Sequence, residues 1–249
     1  MRLFGLIGYP LTHSFSKKYF TEKFQKEGIK DAAYELFEIK EASEVKSIIA
    51  AHPDLNGLNV TIPHKEAVIP FLDALDPAAE KIGAVNVIRI RNGKTTGFNS
   101  DFYGFKSSLE KFLPEDYSNF KALVLGTGGA AKAVKAALDN LKIPYLTVSR
   151  TKGARLITYD QLDKSMIDEY KLIVNTSPLG MYPKTESFPE IPYQYISSGH
   201  YLFDLVYNPE NTTFMKKGTE KGARTKNGLE MLYLQAEKAW EIWDQGATR

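Results

Sequence analysis

Cysteine is absent from the 249 residues. Disulfides, thiolate metal sites, iron–sulfur clusters and thiol nucleophiles are therefore excluded together. Charge of one sign is also missing: 32 Lys and Arg against 30 Asp and Glu leave a net +2. That is too little for a broad attraction to nucleic acid or a membrane surface, so any basic site has to be local. No apolar run approaches the roughly 20 residues that span a bilayer. The opening Met1-Arg2-Leu3-Phe4-Gly5-Leu6-Ile7-Gly8 is too short and too broken by glycine for a signal peptide, and a cytoplasmic protein is expected. Internal repeats and low-complexity tracts are missing as well.

What is present is an ordinary globular balance, 43% apolar and 25% charged, in a chain long enough for one large domain or two small ones. The most informative stretch lies halfway along: Gly126-Thr127-Gly128-Gly129-Ala130-Ala131. A strand-like run at 122–125 feeds it and a helical pattern at 130–141 leaves it, the context of a dinucleotide-binding loop. Gly126 permits the tight turn, Gly128 removes a side chain where a pyrophosphate must approach, and Ala131 allows close helix–strand packing. Free N–H groups at the helix start would face the phosphates. Further strands at 145–149, 172–174 and 201–206 predict a parallel, doubly wound sheet.

Ahead of the loop, strand signals at 3–7, 34–39 and 57–61 alternate with helical spacing at 16–26 and 42–51. Segments 85–91 and 95–98 flank Asn92-Gly93, a two-residue hairpin signal. Helices follow at 102–112 and, near the end, at 229–243. The fold class expected is α/β with two domains: an N-terminal α/β unit and a Rossmann-type doubly wound parallel sheet, with a cleft between them.

The second strand of the nucleotide unit points to the cofactor. An NAD-preferring sheet ends this strand in Asp or Glu, which binds the ribose hydroxyls. Here it ends in Ser149-Arg150-Thr151-Lys152, with no acid before Asp160. Arg150 can pair with a 2′-phosphate and the hydroxyls of Ser149 and Thr151 can join it, so NADP is expected. Solvated loop charge is the plain alternative for Arg150 and Lys152.

Three polar segments lie at strand ends in the first half. His13-Ser14-Phe15-Ser16 precedes a helix, where two hydroxyls can hold a carboxylate or simply cap the helix. In Asn59-Val60-Thr61-Ile62-Pro63-His64-Lys65, Asn59 and Thr61 share one side of a strand. His64 reads as structural or exposed, since it lacks the cysteine and acid partners of a metal site. Lys65 follows Pro63, at the start of a helical turn. Gly97-Phe98-Asn99-Ser100-Asp101 enters the next helix, with Asp101 placed as an N-cap or else aimed into a cleft toward Lys65.

At these residues the chain resembles the shikimate dehydrogenase family. The matching pieces are Gly8-Tyr9-Pro10, 13–16, 59–65, Gly83-Ala84-Val85-Asn86, 97–101, 126–131, 149–151, 175–181, 204–209 and 227–232 with Gln235. They run in order over essentially the whole chain. The resemblance implies NADPH-dependent, reversible reduction of 3-dehydroshikimate to shikimate. It implies that Ser14 and Ser16 bind the substrate carboxylate and that Thr61, Asn86, Tyr207 and Gln235 hold its ring hydroxyls. Lys65 and Asp101 would stand at the reacting carbon, Asp101 also touching a substrate hydroxyl.

Gly126, Thr127, Gly128, Gly129 and Ala130 would take the pyrophosphate, and Ser149, Arg150 and Thr151 the 2′-phosphate. Leu205, Gly228 and Met231 would lie by the nicotinamide. No metal is implied. The family fold implies a substrate domain of 1–103 with 228–249 and an NADP domain of 104–227, the last helix returning to the first domain. The partners expected are small molecules, with neither nucleic acid nor membrane, for a monomer or homodimer.

Departures from the family pattern are Lys17 in place of proline, Tyr19-Phe20 in place of His-Asn, and serines at 100 and 149. A quinate/shikimate dehydrogenase using NAD or both cofactors is the neighbouring alternative. An NADP-binding sensor on the same fold would lack Lys65 or Asp101. A folate-linked dehydrogenase would leave the serine pair and Gln235 without a purpose.

Overall fold

The computed structural model describes residues 1–11, 14–154 and 156–245. The chain divides into two compact units: Met1–Ser100 with the chain from Ala236 onward, and Asp101–Gln235.

The first unit runs β1 (Arg2–Gly8), α1 (Phe15–Lys26), β2 (Ala32–Glu38), α2 (Val45–Ala51), β3 (Leu55–Val60), α3 (His64–Ala67), β4 (Ala74–Leu75), α4 (Pro77–Ile82), β5 (Val87–Arg91) and β6 (Lys94–Phe98). Its sheet has the order β2-β1-β3-β5-β6-β4. β1 lies parallel to β2 and β3, whereas β5 is antiparallel to β3 and β6. Asn92 and Gly93 both take positive φ, 50° and 72°, the two left-handed residues a tight hairpin needs.

Alternation along the strands covers both faces of this sheet. Phe4, Leu6 and Tyr34 pack with Phe20 and Phe24 of α1 on one side, while Ile7, Leu58, Val60 and Ile88 build the other. The first cluster is completed by Trp240 and Trp243, from the end of the helix at Leu229–Asp244. Trp243 is fully buried. Its indole N–H donates to the Ile88 carbonyl at 3.0 Å, and its ring fills the space a side chain on Gly57 would need.

The second unit contains most of α5 (Ser100–Phe112), then β7 (Ala122–Leu125), α6 (Gly129–Asn140), β8 (Tyr145–Ser149), β9 (Leu156–Thr158), α7 (Lys164–Glu169), β10 (Leu172–Asn175), β11 (Tyr201–Asp204), α8 (Thr213–Glu220), β12 (Arg224–Lys226) and the start of α9 (Leu229–Asp244). Every strand pair is parallel, in the order β12-β11-β10-β7-β8-β9. From β7 the chain winds outward through β8 and β9, then returns to β10 and winds the other way. That is the doubly wound arrangement expected, with its switch point between β7 and β10. The central strands are buried throughout, as two covered faces require.

Three details differ from the sequence expectation. The short strands β4, β9 and β12 have too few residues to show a period. The strand expected over 201–206 stops at Asp204, whose carboxylate accepts the Val206 N–H at 3.0 Å and turns the chain out of the sheet. Asp101 is not an N-cap: α5 already begins at Ser100, which makes Asp101 its second residue.

Candidate active site

In the first unit, Ser14 is the N-cap of α1, its hydroxyl accepting the Lys17 N–H at 3.2 Å. A hydroxyl that accepts from the helix still has its own hydrogen to donate, so capping and anion binding are compatible. Ser16 is the second residue of α1, and both serines are partly exposed. His13 lies outside the described residues. Thr61 leaves β3 with its N–H on the Ile7 carbonyl at 3.0 Å, its methyl group occupying the space beside Gly8.

His64 is buried, and its Nε2 lies 2.8 Å from the Ile39 carbonyl. A carbonyl only accepts, so this nitrogen carries the hydrogen and His64 serves as an anchor, as expected. The Lys65 carbonyl accepts the Val85 N–H at 2.7 Å. The backbone at Lys65 is thus held by a buried side chain before it and by the 83–86 segment, while its own side chain is half-buried. Asn86, one residue on, is buried and pairs twice with Ser100: its Nδ2 donates to Oγ at 3.0 Å, and its Oδ1 accepts the backbone N–H at 2.7 Å.

In the second unit, the glycine loop stands at the switch point. Gly126 has φ +122°, and a Cβ there would meet Thr176 Oγ1 at 2.6 Å. Both conformation and space demand glycine. Gly128 is different. A Cβ on it would meet nothing within 4 Å, and as N-cap of α6 it supplies no side-chain cap. Protein packing therefore does not account for this glycine; an unfilled space over the start of α6 does, and that suits a pyrophosphate. Thr127 is exposed, Gly129 and Ala130 open the helix, and Ala131 is fully buried against the sheet. Thr176 Oγ1 donates to the Leu125 carbonyl at 2.8 Å, tying the second switch-point loop to the first.

At the end of β8, the buried Ser149 hydroxyl accepts the Thr151 N–H at 3.2 Å. That turn leaves Arg150 and Thr151 exposed, and the sequence from there has no acid before Asp160. The residues present fit NADP.

The remaining candidates also lie in the second unit. Asp101 is buried on the first turn of α5. At Gly104, a Cβ would meet the Met231 carbonyl at 2.7 Å and Gln235 Cβ at 3.0 Å. The absent side chain thus lets α9 pack tightly on α5 and sets Gln235 beside it; the Gln235 amide donates to the Leu232 carbonyl at 3.0 Å. Gly228 is buried against the Leu205 carbonyl, which a Cβ would strike. Leu205 and Gly228 are therefore neighbours, and burial pushes the nearby Tyr207 hydroxyl above its ordinary value.

Two groups escaped the sequence reading. Glu230 collects Lys226 at 2.5 Å, Lys111 at 2.9 Å and the Ser108 hydroxyl at 2.8 Å. Burial opposes its ionisation, but these three partners outweigh it and hold the carboxyl at about 2. Asp204, fully buried, has its carboxyl raised by burial to about 6 despite three hydrogen bonds. A lone acid closing an apolar strand was its only sequence signal. Among the described residues no cluster of His, Asp or Glu could hold a metal, and no helix is long and apolar enough to cross a membrane.

A doubly wound sheet with an open glycine loop at its switch point, joined to a second α/β unit bearing polar residues at strand ends, defines a two-unit nucleotide-binding protein. The comparisons make this specific. A family model described as the shikimate dehydrogenase substrate binding domain matches residues 6–88. A protein named shikimate dehydrogenase (NADP(+)) from Methanosphaera stadtmanae is 38% identical over 258 residues, covering 96% of this chain and 90% of the relative. The crystal structure of shikimate 5-dehydrogenase from Thermus thermophilus in complex with NADP(H) and shikimate aligns with a TM-score of 0.85 at 29% identity, over 98% of this chain and 94% of that one. Quinate dehydrogenase from Corynebacterium glutamicum in complex with NAD aligns with a TM-score of 0.87 at 26% identity, over 98% and 94% of the two chains. The chain belongs to the shikimate dehydrogenase family.

Proposed function

We propose that this protein catalyses the reversible, NADPH-dependent reduction of 3-dehydroshikimate to shikimate. The observation that carries the proposal is the 38% identity to an NADP(+) shikimate dehydrogenase across 96% of the chain. In this reading residues 1–103 with 228–249 hold the substrate and 104–227 the cofactor. Gly126 to Ala130 hold the pyrophosphate, Ser149, Arg150 and Thr151 the 2′-phosphate, and Leu205, Gly228 and Met231 border the nicotinamide. Bound NADPH supplies a hydride, and NADP⁺ accepts one in reverse.

Ser14 and Ser16 bind the substrate carboxylate at the start of α1, where the helix dipole favours an anion. Thr61, Asn86, Tyr207 and Gln235 orient the ring through its hydroxyls. During reduction the carbonyl carbon becomes a carbinol carbon and its oxygen takes up negative charge. The Lys65 ammonium stabilises that charge and passes a proton to the oxygen; in the oxidising direction it takes the proton back. Asp101 orients Lys65 and accepts a hydrogen bond from a substrate hydroxyl. The near-neutral charge supports an enzyme without a nucleic-acid partner; the reading places it in the cytoplasm as a monomer or homodimer, a state that light scattering would read.

The test is absorbance at 340 nm with shikimate and NADP⁺. Reduction of the cofactor is expected, and no change would overturn the proposal. The likeness to a quinate dehydrogenase bound to NAD supports a second reading, in which quinate and NAD are used. Turnover with each acid and each cofactor separates the two; Arg150 at the end of β8 favours NADP.

A further inference from the structure

Tyr34 sits on β2, two strands away from β3, because β1 runs between them. Its Cα is in register with Phe4, and Asn59 of β3 with Leu6. The Tyr34 hydroxyl nevertheless crosses the face of β1 and donates to Asn59 Oδ1 at 2.7 Å, both side chains being buried. The ring is held flat on Phe20 of α1, with centroids 4.8 Å apart and planes 13° from parallel. Trp243 joins the cluster, its ring 6.3 Å from that of Tyr34 and 5.3 Å from that of Phe20. With the ring locked, the position of the oxygen is locked too.

Two of the residues assigned to substrate binding meet this pair. Ser16 lies near enough to the Tyr34 hydroxyl to work against the rise that burial imposes on it. On the far side, Asn59 Nδ2 approaches the Asn86 carbonyl at 3.4 Å, a carbonyl that also accepts the Val60 N–H at 2.9 Å. The Asn86 side chain is in turn fixed by Ser100. Aromatic neighbours account for the ring but not for the hydroxyl: phenylalanine would pack there equally well, and burying an O–H costs free energy that only its hydrogen bonds offset.

We propose that Tyr34 is a positioning residue for substrate binding, its hydroxyl fixing Asn59 and through it Asn86 on one side and Ser16 on the other. The inference rests on the reading of Ser16 and Asn86 given under Proposed function. Tyr34→Phe removes the hydroxyl and leaves the ring. The expected result is a KM for shikimate raised about tenfold, the loss of one well-placed buried hydrogen bond, with kcat within about threefold of wild type. KM for NADP⁺ should stay near wild type, and the unfolding midpoint should fall by no more than the loss of one buried hydrogen bond produces. Asn59→Ala cuts the same link at its other end and should give the same split, which keeps the test open if one variant does not fold.

In a Ser16→Ala background, the further effect of Tyr34→Phe should shrink to less than about threefold, because coupled residues are not additive. An unchanged KM for shikimate in an active wild-type background would overturn this inference alone. Equal rises in both KM values with a lowered unfolding midpoint would also overturn it, by showing a merely structural role. Wild-type protein without shikimate turnover would overturn it together with the proposed function.

Discussion

The Asp204 carboxylate accepts the Thr212 hydroxyl at 2.6 Å, both residues being fully buried. Asn175 Nδ2 at 2.9 Å and the Val206 N–H at 3.0 Å complete its shell. This links β10 and β11 just before the segment that presents Leu205 and Tyr207. Burial is the larger influence, raising the carboxyl from 3.8 to about 6. The folded chain therefore keeps a proton there that the unfolded chain has lost. The contribution to stability is fully present below about pH 4 and is lost as pH rises through about 6. Asp204→Asn is close to isosteric and does not titrate. Wild type is expected to gain about 1 kcal/mol on the variant between pH 7 and pH 5, measured by urea unfolding across that range. A difference that is flat with pH would refute the assignment.

Gly228→Ala would drive a methyl group into the Leu205 carbonyl. Both atoms belong to backbone-anchored positions, so no rotamer change relieves the clash. A loss of about 1–3 kcal/mol of stability is expected, together with a raised KM for NADP⁺, since both residues are proposed to border the nicotinamide. Wild-type values for both would show that the loop gives way freely.

Lys65→Ala should lower kcat by about a hundredfold or more while shikimate still binds, because a general acid and charge stabiliser contributes mainly in the transition state. The half-buried side chain leaves α3 anchored by His64, so the unfolding midpoint should hold. Near-normal turnover would remove Lys65 from the mechanism.

Arg150→Ala separates the cofactors. KM for NADP⁺ is expected to rise about tenfold to a hundredfold, as loss of one or two charge-assisted hydrogen bonds would produce, with KM for NAD⁺ changing little. Equal effects on both would point to adenine stacking alone.

What could be read from the residues was what local geometry encodes. Asn92-Gly93 announced a hairpin because both positions need positive φ, and Gly126 announced a turn for the same reason. The doubly wound half was legible from strand and helix periods. The order β2-β1-β3-β5-β6-β4 was not, since β4 pairs with Thr96 and Gly97 more than twenty residues away and has only two residues of its own. The reach of Tyr34 over an intervening strand has no local signature, and neither does the shell around Asp204. The period of the last helix revealed an apolar face without saying what that face covers. The helix begins two residues earlier than expected, at Ser100, enough to turn Asp101 from a capping residue into one on the first turn.

The end of α9 sets a schedule for synthesis. Phe4, Phe20 and Gly57 need Trp240 and Trp243 to cover them, and those residues leave the ribosome more than a hundred residues after β6. At about 5–20 residues per second the delay is on the order of ten seconds. Throughout that interval the first sheet waits with an aromatic face open to water while the entire second unit is made, a natural window for chaperone capture.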